Sequence, residues 1–571
     1  MAGLLSNFEL VKEVFDGVNQ LRQLVLGLAI RGRLVPQHPE DLPAPRLVEH
    51  SLQTKSNNPA ASDGTSTNNG PFELPCSWEW VRLDHIADFE IGRTPPTKEE
   101  RFWAKDGIPW VSIADMPSTG RVVTTRRSVT DSAAREVFKK PPAPAGTLLM
   151  SFKLSIGKVA FLETPSYYNE AIIAIYPPTP GISSYLQVCL QAIDLLGGSA
   201  AAVKGSTLNK SSLSALLIPL PPIEEQGRIV DKVDSLMAMC DNLEASLVTE
   251  NESKTEASRA CLYAITKATE QAKVKEAWKR VQDRFEVLFD APDSVGDLRQ
   301  SILQLAVQGR LVCQLKTDEP AAEALKRISR ERVRLIEQGQ ACKAKDVTPI
   351  APKECPFESI PESWEWVRAT EIYDVSGGIT KNAQRKPVEN HYPYLRVANV
   401  QRGRLDLSAI ERFELFNGEL DRWRLHPNDL LVVEGNGSEH EIGRCAVWHG
   451  EIPDCVHQNH LIRLRPIAHD GHDFTLRFFN SPSGMDEMKK RAITTSGLYS
   501  LSVGKIRDLV IPMPPIEEQL RIVERLKTLL NACNTADVAI EQRSTHASSL
   551  LASLIHQVLS LDQPASTGGG Q

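Results

Sequence analysis

The sequence predicts an α+β protein: two mixed α/β globules separated by two long helices that form an antiparallel coiled coil, built as an internal pseudo-two-fold repeat with circularly permuted termini. Three observations predict this. One proline-rich segment occurs twice almost unchanged, weaker echoes surround both copies in the same order, and an apolar seam of helical period follows each copy.

The repeat comes first because it organises everything else. Ile218-Pro-Leu-Pro-Pro-Ile-Glu-Glu-Gln-Gly-Arg-Ile-Val230 returns as Ile511-Pro-Met-Pro-Pro-Ile-Glu-Glu-Gln-Leu-Arg-Ile-Val523, at an offset of 293. Trp78-Glu-Trp-Val-Arg82 returns as Trp364-Glu-Trp-Val-Arg368, at an offset of 286. Leu21-Arg-Gln23 with Gly32-Arg-Leu-Val35 returns as Leu298-Arg-Gln300 with Gly309-Arg-Leu-Val312, at an offset of 277. Ile156-Gly-Lys-Val-Ala160 echoes Ile442-Gly-Arg-Cys-Ala446, and Asn169 aligns with Asn459. Slow drift of the offset is what a duplicated unit with loop insertions produces. The order is permuted: Phe8-Glu-Leu-Val11 matches Phe285-Glu-Val-Leu288, so the chain opens partway through a unit. Its last helical stretch, Ser549 to Leu559, falls opposite Glu256 to Thr266. Two such units close only about an approximate two-fold axis.

The helices follow from periodicity. Pro222 and Pro515 suit a first helical turn, and Glu224, Glu225, Glu517 and Glu518 suit its positive end. Ile229, Val233, Leu236, Cys240, Leu243 and Leu247 then step by four and three, as do Ile522, Leu526, Leu529, Cys533, Ala536 and Ile540. Shorter runs are Trp278, Val281, Phe285, Leu288, and Leu298, Ile302, Leu305. Between the helices, short apolar runs such as Leu148–Met150 and Leu430–Val433, bounded by Gly, Pro and Asn, read as strands.

These elements divide the chain into an N-terminal helical region (1–50), a flexible linker (51–72), a first globule (73–217) and a central long-helix region (218–315). A helix and linker (316–360), a second globule (361–510), a C-terminal long-helix region (511–562) and a disordered tail (563–571) complete it. The first copy lacks the helix expected after Gln37, whereas the second reads as helical from Glu319 to Gln338.

Composition excludes several classes. The chain of 571 residues is 41% hydrophobic and 24% charged, too long for one core and ordinary for a globular protein. No run of eighteen apolar residues predicts a membrane span, and the N-terminus lacks a basic, apolar leader. Ten scattered cysteines without a C-x-x-C pair suit a cytoplasmic location. No P-loop, no G-x-G-x-x-G and no Asn/Asp-Pro-Pro-aromatic motif is present, so no catalytic or cofactor residue is assigned. Cys445, Cys455, His457 and His460 are the best metal candidates. Their spacing is wider than usual for zinc and the first globule has no counterpart, so buried thiols and strand-borne histidines are the plainer reading.

Taken together, the I-P-x-P-P-x-E-E-Q-x-R-I-V segments, the L-R-Q…G-R-L-V helices, the W-E-W-V-R entries, Pro109-Trp-Val-Ser-Ile-Ala-Asp115 and Ile156-Gly-Lys158 resemble the specificity subunits of type I restriction-modification enzymes, over about Phe8 to Leu559. The resemblance implies a non-catalytic subunit whose two globules are target-recognition domains. Each reads one half of a split, asymmetric site in double-stranded DNA. It also implies two methyltransferase subunits docked on the helices, with restriction subunits beyond them. S-adenosylmethionine, ATP and Mg then belong to those partners, and the assembly would methylate adenine and cleave DNA. A fused enzyme or a purely structural coiled-coil adaptor are the rival classes.

The residues agree with this reading: the helices nearly match between copies while the globules diverge, as expected if like surfaces meet like partners and unlike surfaces meet unlike bases. The net charge of −7 means that phosphate affinity must come from local clusters. The candidates are Arg126-Arg127, Lys139-Lys140, Lys153 with Lys158, Arg385-Lys386, Arg402 with Arg404, and Lys489-Lys490-Arg491. Arg93, Lys153, Arg396, Asn399 and Asn436 have the reach of base-edge readers. Glu224, Glu225, Gln226, Glu517, Glu518 and Gln519, at the helix starts, are the expected partner-docking residues. The seam from Ile223 to Leu247 spans roughly 36 Å, close to one turn of B-DNA at about 34–36 Å.

Overall fold

A computed structural model describes residues 8–14, 16–44, 70–153, 157–177, 180–192, 213–268, 271–339, 347–416, 418–436, 441–468, 471–495 and 498–560. The expected linker from 51 and the tail from 563 fall almost wholly outside these. The chain forms two compact units, one of residues 1–250 with 543–571 and the other of 251–542. The permutation read from the sequence is visible here, because the C-terminal segment belongs with the N-terminal one.

In the first unit, helices Phe8–Glu13 and Gly17–Ile30 precede the globule. The globule holds a five-stranded sheet in the order Asp88–Ile91, Ile172–Tyr176, Leu148–Ser151, Val159–Leu162, Arg121–Val122. An outer four-stranded sheet runs Trp103–Ala104, Arg127–Val129, Ile108–Val111, Tyr167–Tyr168. In the second unit the main sheet is four-stranded, Tyr373–Ser376, Leu461–Pro466, Asp429–Val433, Cys445–Trp448. Its outer sheet is Glu411–Glu414, His391–Leu395, Val456–His457. Leu148–Ser151 and Asp429–Val433 are buried at every position, which is why they read as continuous apolar runs.

Each globule hangs from its scaffold by a two-stranded ribbon in identical register. Trp80 faces Pro219 and Val81 faces Ile218, as Trp366 faces Pro512 and Val367 faces Ile511. The strand then turns at Pro222 or Pro515 directly into a long helix, Ile223–Lys267 or Ile516–Ser560. Each has 45 residues, about 67 Å at 1.5 Å per residue. The helices therefore run well past the apolar seam that predicted them.

The seam residues are buried or half-buried, but their partners are more varied than a two-helix coiled coil requires. In the first unit, Leu236 and Met237 share a cluster with Ile555, Val558 and Leu559. One to two turns on, Cys240 and Leu243 share one with Ala547 and Leu551, so the two long helices pair antiparallel there. Val11, Val14 and Val18 complete that second cluster, making a small helical bundle. In the second unit, Ile522, Leu526 and Cys533 pack with Leu298, Ile302, Val281 and Leu288. The helix predicted over Glu319–Gln338 is present as Ala321–Glu337. No helix among the described residues is long and apolar enough to cross a membrane.

Candidate nucleic-acid interface

The strongest geometry lies where each globule meets its long helix. In the first unit the Trp78 indole donates to Glu225 at 3.0 Å, and in the second Trp364 donates to Glu518 at 3.0 Å. Gln226 Nε2 donates to the Pro221 carbonyl and Gln519 Nε2 to that of Pro514, at 2.9 and 2.8 Å. Arg228 grips Asp41 and Arg521 grips Asp318 through both guanidinium nitrogens. Arg22 bonds Asp241 and Glu244, while Arg299 bonds Asn534 and Asp537. Arg33 donates to the Leu559 carbonyl, and Arg310 to those of Ile265, Thr266 and Ala268, so each arginine closes a long helix at its C-terminal end. Burial raises the Glu225 and Glu518 carboxyls above their ordinary range, opposed by the hydrogen bonds of the two tryptophans.

This corrects the docking expectation for four residues. Glu225, Gln226, Glu518 and Gln519 are buried, at 0–5% exposure, and bonded within the chain. The first helical turn presents only one of its three polar residues outward, because the glutamate is bonded by Trp78 or Trp364 and the glutamine bonds the Pro221 or Pro514 carbonyl. Glu224 and Glu517 remain exposed. Further along, Asp231/Glu524, Lys232/Arg525 and Ser235/Thr528 are also exposed and chemically alike in the two copies. Spaced at 224, 231 and 235, three of these fall on one helical face.

The expected DNA contacts sort into three groups. Several are committed internally, against expectation. Asn399 is 3% exposed; its Nδ2 donates to the Asp406 and Ala409 carbonyls and its Oδ1 accepts from the Arg396 amide. Asp115 caps the equivalent turn in the first globule by accepting from the Ser112 amide at 2.9 Å, so Asn399 is a turn residue rather than a base reader. Lys158 Nζ donates to the Ile113 and Met116 carbonyls. Arg385 is clamped by Glu419 at 2.7 and 2.8 Å, Arg396 pairs with Glu411, and Arg402 reaches Asn480. A second group is at the surface with a local partner. Arg93 donates to the Val137 carbonyl, Arg126 lies 3.8 Å from Asp115, Lys140 pairs with Glu90, and Lys490 pairs with Asp486 and Glu487. Lys153 sits 5.2 Å from the Phe152 ring.

The third group has exposed side chains with no ion pair among the described residues: Lys386, Arg404 and Arg127. Arg127 alone is built in, with its guanidinium carbon 3.4 Å from the centroid of the Trp103 ring. Lys489 is exposed, and the Asn436 backbone pairs with Tyr499 in a short strand. Sequence reading flagged Arg127 for charge alone. The Trp103 platform depends on antiparallel pairing of Trp103–Ala104 with Ser128–Val129, which no local pattern announces.

The metal candidates do not converge. Among the described residues no group of three or more His, Cys, Asp or Glu side chains gathers to hold an ion. Cys445 and Cys455 are buried, with burial pushing both thiols up to about 12. His457 is fully buried and pushed down to about 3, by burial first and then by Arg463 and Arg465. His460 is exposed and meets Glu434 at 2.9 Å.

Comparison with known proteins agrees with the doubled architecture. The family model for the type I restriction modification DNA specificity domain matches twice, at residues 75–252 and 361–542. The EcoEI specificity subunit of Escherichia coli is 27% identical over 560 residues, covering 91% of this chain and 90% of that protein. The EcoAI specificity subunit of Escherichia coli is 26% identical over 556 residues, covering 91% and 90%. The crystal structure of the HsdS subunit from Thermoanaerobacter tengcongensis aligns with a TM-score of 0.41 at 18% identity, covering 86% of this chain and 99% of that one. With two matched copies of the domain and relatives spanning nine-tenths of its length, the chain belongs to the DNA-binding specificity subunits of type I restriction-modification enzymes.

Proposed function

We propose that this chain selects a bipartite, asymmetric DNA site for a type I restriction-modification complex, and carries the partner subunits on its helices. The globule of residues 73–217 reads one half-site and that of 361–510 the other. Two methyltransferase subunits dock on the two long-helix starts, one per copy, and restriction subunits join them. S-adenosylmethionine, ATP and Mg act in those partners, in the cytoplasm, while this chain positions the DNA without chemistry of its own.

One observation carries the reading. The bonds of Trp78, Gln226 and Arg228 at the join between globule and helix recur as those of Trp364, Gln519 and Arg521, and the exposed stripe Glu224, Asp231, Ser235 is matched by Glu517, Glu524, Thr528. The outer sheets share strand pairing but not side chains. A scaffold that must accept two copies of one partner is held alike, whereas recognition surfaces for unlike half-sites are not. A symmetric dimer of identical readers would instead take a palindrome.

The test is a domain swap followed by mapping of methylated adenines with the assembled complex. Replacing 73–217 by a recognition domain of different specificity changes one half-site and leaves the other intact. A continuous site, a palindrome, or a swap that alters both halves defeats the reading.

A further inference from the structure

We infer that Arg127 reads a base edge, with guanine as its partner, in the half-site of the first globule; this rests on the bipartite reading above. Six of the thirteen described cations of that globule are spent on partners within it. Arg82 is held by Asp84, Arg101 by Glu99 and Glu136, Arg121 by Glu163, and Lys140 by Glu90. Arg93 and Lys158 donate to carbonyls. Arg127 is exposed and makes no ion pair among the described residues, yet it is not loose.

Its guanidinium lies on the Trp103 ring, 3.4 Å from the centroid, with Trp110 on the same side at 6.0 Å. The two indoles are perpendicular at 5.1 Å. Each is fixed in turn: Trp103 Nε1 donates to the Pro96 carbonyl at 3.2 Å and Trp110 Nε1 to that of Arg93 at 3.0 Å. Stacking occupies a face of the guanidinium and leaves its N–H edge open. The side-chain ordering that binding normally costs is therefore already met. A planar fork held still in this way matches the O6 and N7 acceptors that guanine presents in the major groove.

A phosphate would accept the same fork, and the second globule decides between the two. Arg127 stands opposite Trp110 in the outer sheet, and Glu411 stands opposite Tyr394 in the outer sheet of the other globule. Both central strands continue into parallel pairing, Trp110 with Tyr167 and Tyr394 with Val456, so the two positions correspond. Every half-site has the same backbone, so a phosphate contact made from this position favours a cation in both globules. A base contact must differ where the bases differ. Glu411 is an acid, tied to Arg396 and Lys381.

The experiment maps the methylated motif of the complete complex, assembled with its own methyltransferase subunit, for the wild type, Arg127→Ala, Arg127→Gln and Trp103→Ala. Expected is relaxation of a single guanine position in the half-site of residues 73–217, by about ten- to a hundredfold for Arg127→Ala. Arg127→Gln moves the tolerance at that position toward adenine, and Trp103→Ala gives a smaller relaxation at the same base. Thermal melting of the variants serves as the folding control. An unchanged motif, with or without uniform weakening across sequences, overturns the inference, because uniform loss is the mark of a phosphate contact. So does a change in the other half-site. A wild-type motif that is not bipartite strikes instead at the function proposed above, and is visible before any variant is made.

Discussion

The join between globule and helix and the outer sheet of the globule follow opposite rules. At the join, a buried tryptophan, a buried glutamate, an arginine–aspartate clamp and a helix-closing arginine recur in both units. Even the aromatic neighbours recur in kind: Tyr185 meets Trp78 edge-on at 6.4 Å, and Phe474 meets Trp364 edge-on at 5.7 Å. In the outer sheet, corresponding positions hold Arg127 and Glu411, or Tyr168 and His457. The pleat and pairing survive while the side chains are replaced outright. Backbone topology thus constrains the side chains of the outer sheet far less than packing constrains those at the join between a globule and its long helix.

The sharpest way to break this comparison is at the tryptophans. Trp78→Ala and Trp364→Ala each remove a buried indole and its bond to a buried carboxylate; Glu225 then has no described donor, whereas Glu518 keeps that of Gln314. Each should cost about 3–5 kcal/mol. Hydrogen exchange, read separately for the peptides of each unit, should show losses of similar size confined to the unit mutated. A large loss in one unit and none in the other would mean that the repeated bonds are not equivalent in energy.

A second prediction uses a difference rather than a likeness. His457 is buried with neither ring nitrogen bonded among the described residues, beside Arg463 and Arg465, which pair with Asp374 and Asp429. Its pKa is pushed down to about 3, so the unfolded chain takes up a proton below its ordinary value of about 6.5 that the fold refuses. Stability present above pH ~6.5 is therefore lost as pH falls toward 3. The slope is up to about 1.4 kcal/mol per pH unit. The first unit carries Tyr168 at this position, with its hydroxyl donating to the Glu90 carbonyl at 3.4 Å. Acid melting should weaken the second unit first, and His457→Gln should flatten that unit's pH slope alone. Equal acid sensitivity in both units would refute the assignment.

These contrasts explain what was legible in the sequence. The duplication, the permutation, both long helices and the Ala321–Glu337 helix could be read because repeats and helical periods are local and one-dimensional. The ends of the long helices could not, since the seam fades while tertiary packing continues the helix to Lys267 and Ser560. Site residues fared worse for a physical reason. Sequence displays the polar groups of Glu225, Asn399 and Lys158 but not the indole, turn or carbonyl pair that consumes them. Only pairing across strands separates Arg127 from Arg126, its neighbour by one residue.

The smallest effect on stability, and the finest test of the likeness between the units, belongs to the exposed stripe. Glu224 and Glu517 are the first-turn acids that the tryptophans leave uncovered, and each continues along one face into Asp231 and Ser235, or Glu524 and Thr528. Charge reversal there touches no buried partner, so Glu224→Lys and Glu517→Lys should each shift folding stability by less than about 0.5 kcal/mol. Binding of the methyltransferase subunit should respond far more. Each single variant should retain one tight site, giving a complex with one methyltransferase copy in native mass spectrometry, and the double variant should give neither. Flanking positions are already unlike, Gly227 against Leu520 and Asp234 against Lys527, all of them exposed. Exchanging Gly227→Leu with Leu520→Gly should therefore leave the two-copy complex intact. If the exchange abolishes binding while the glutamate variants bind normally, the partner reads the flank, and the matched stripe is only the solvated face of two related helices.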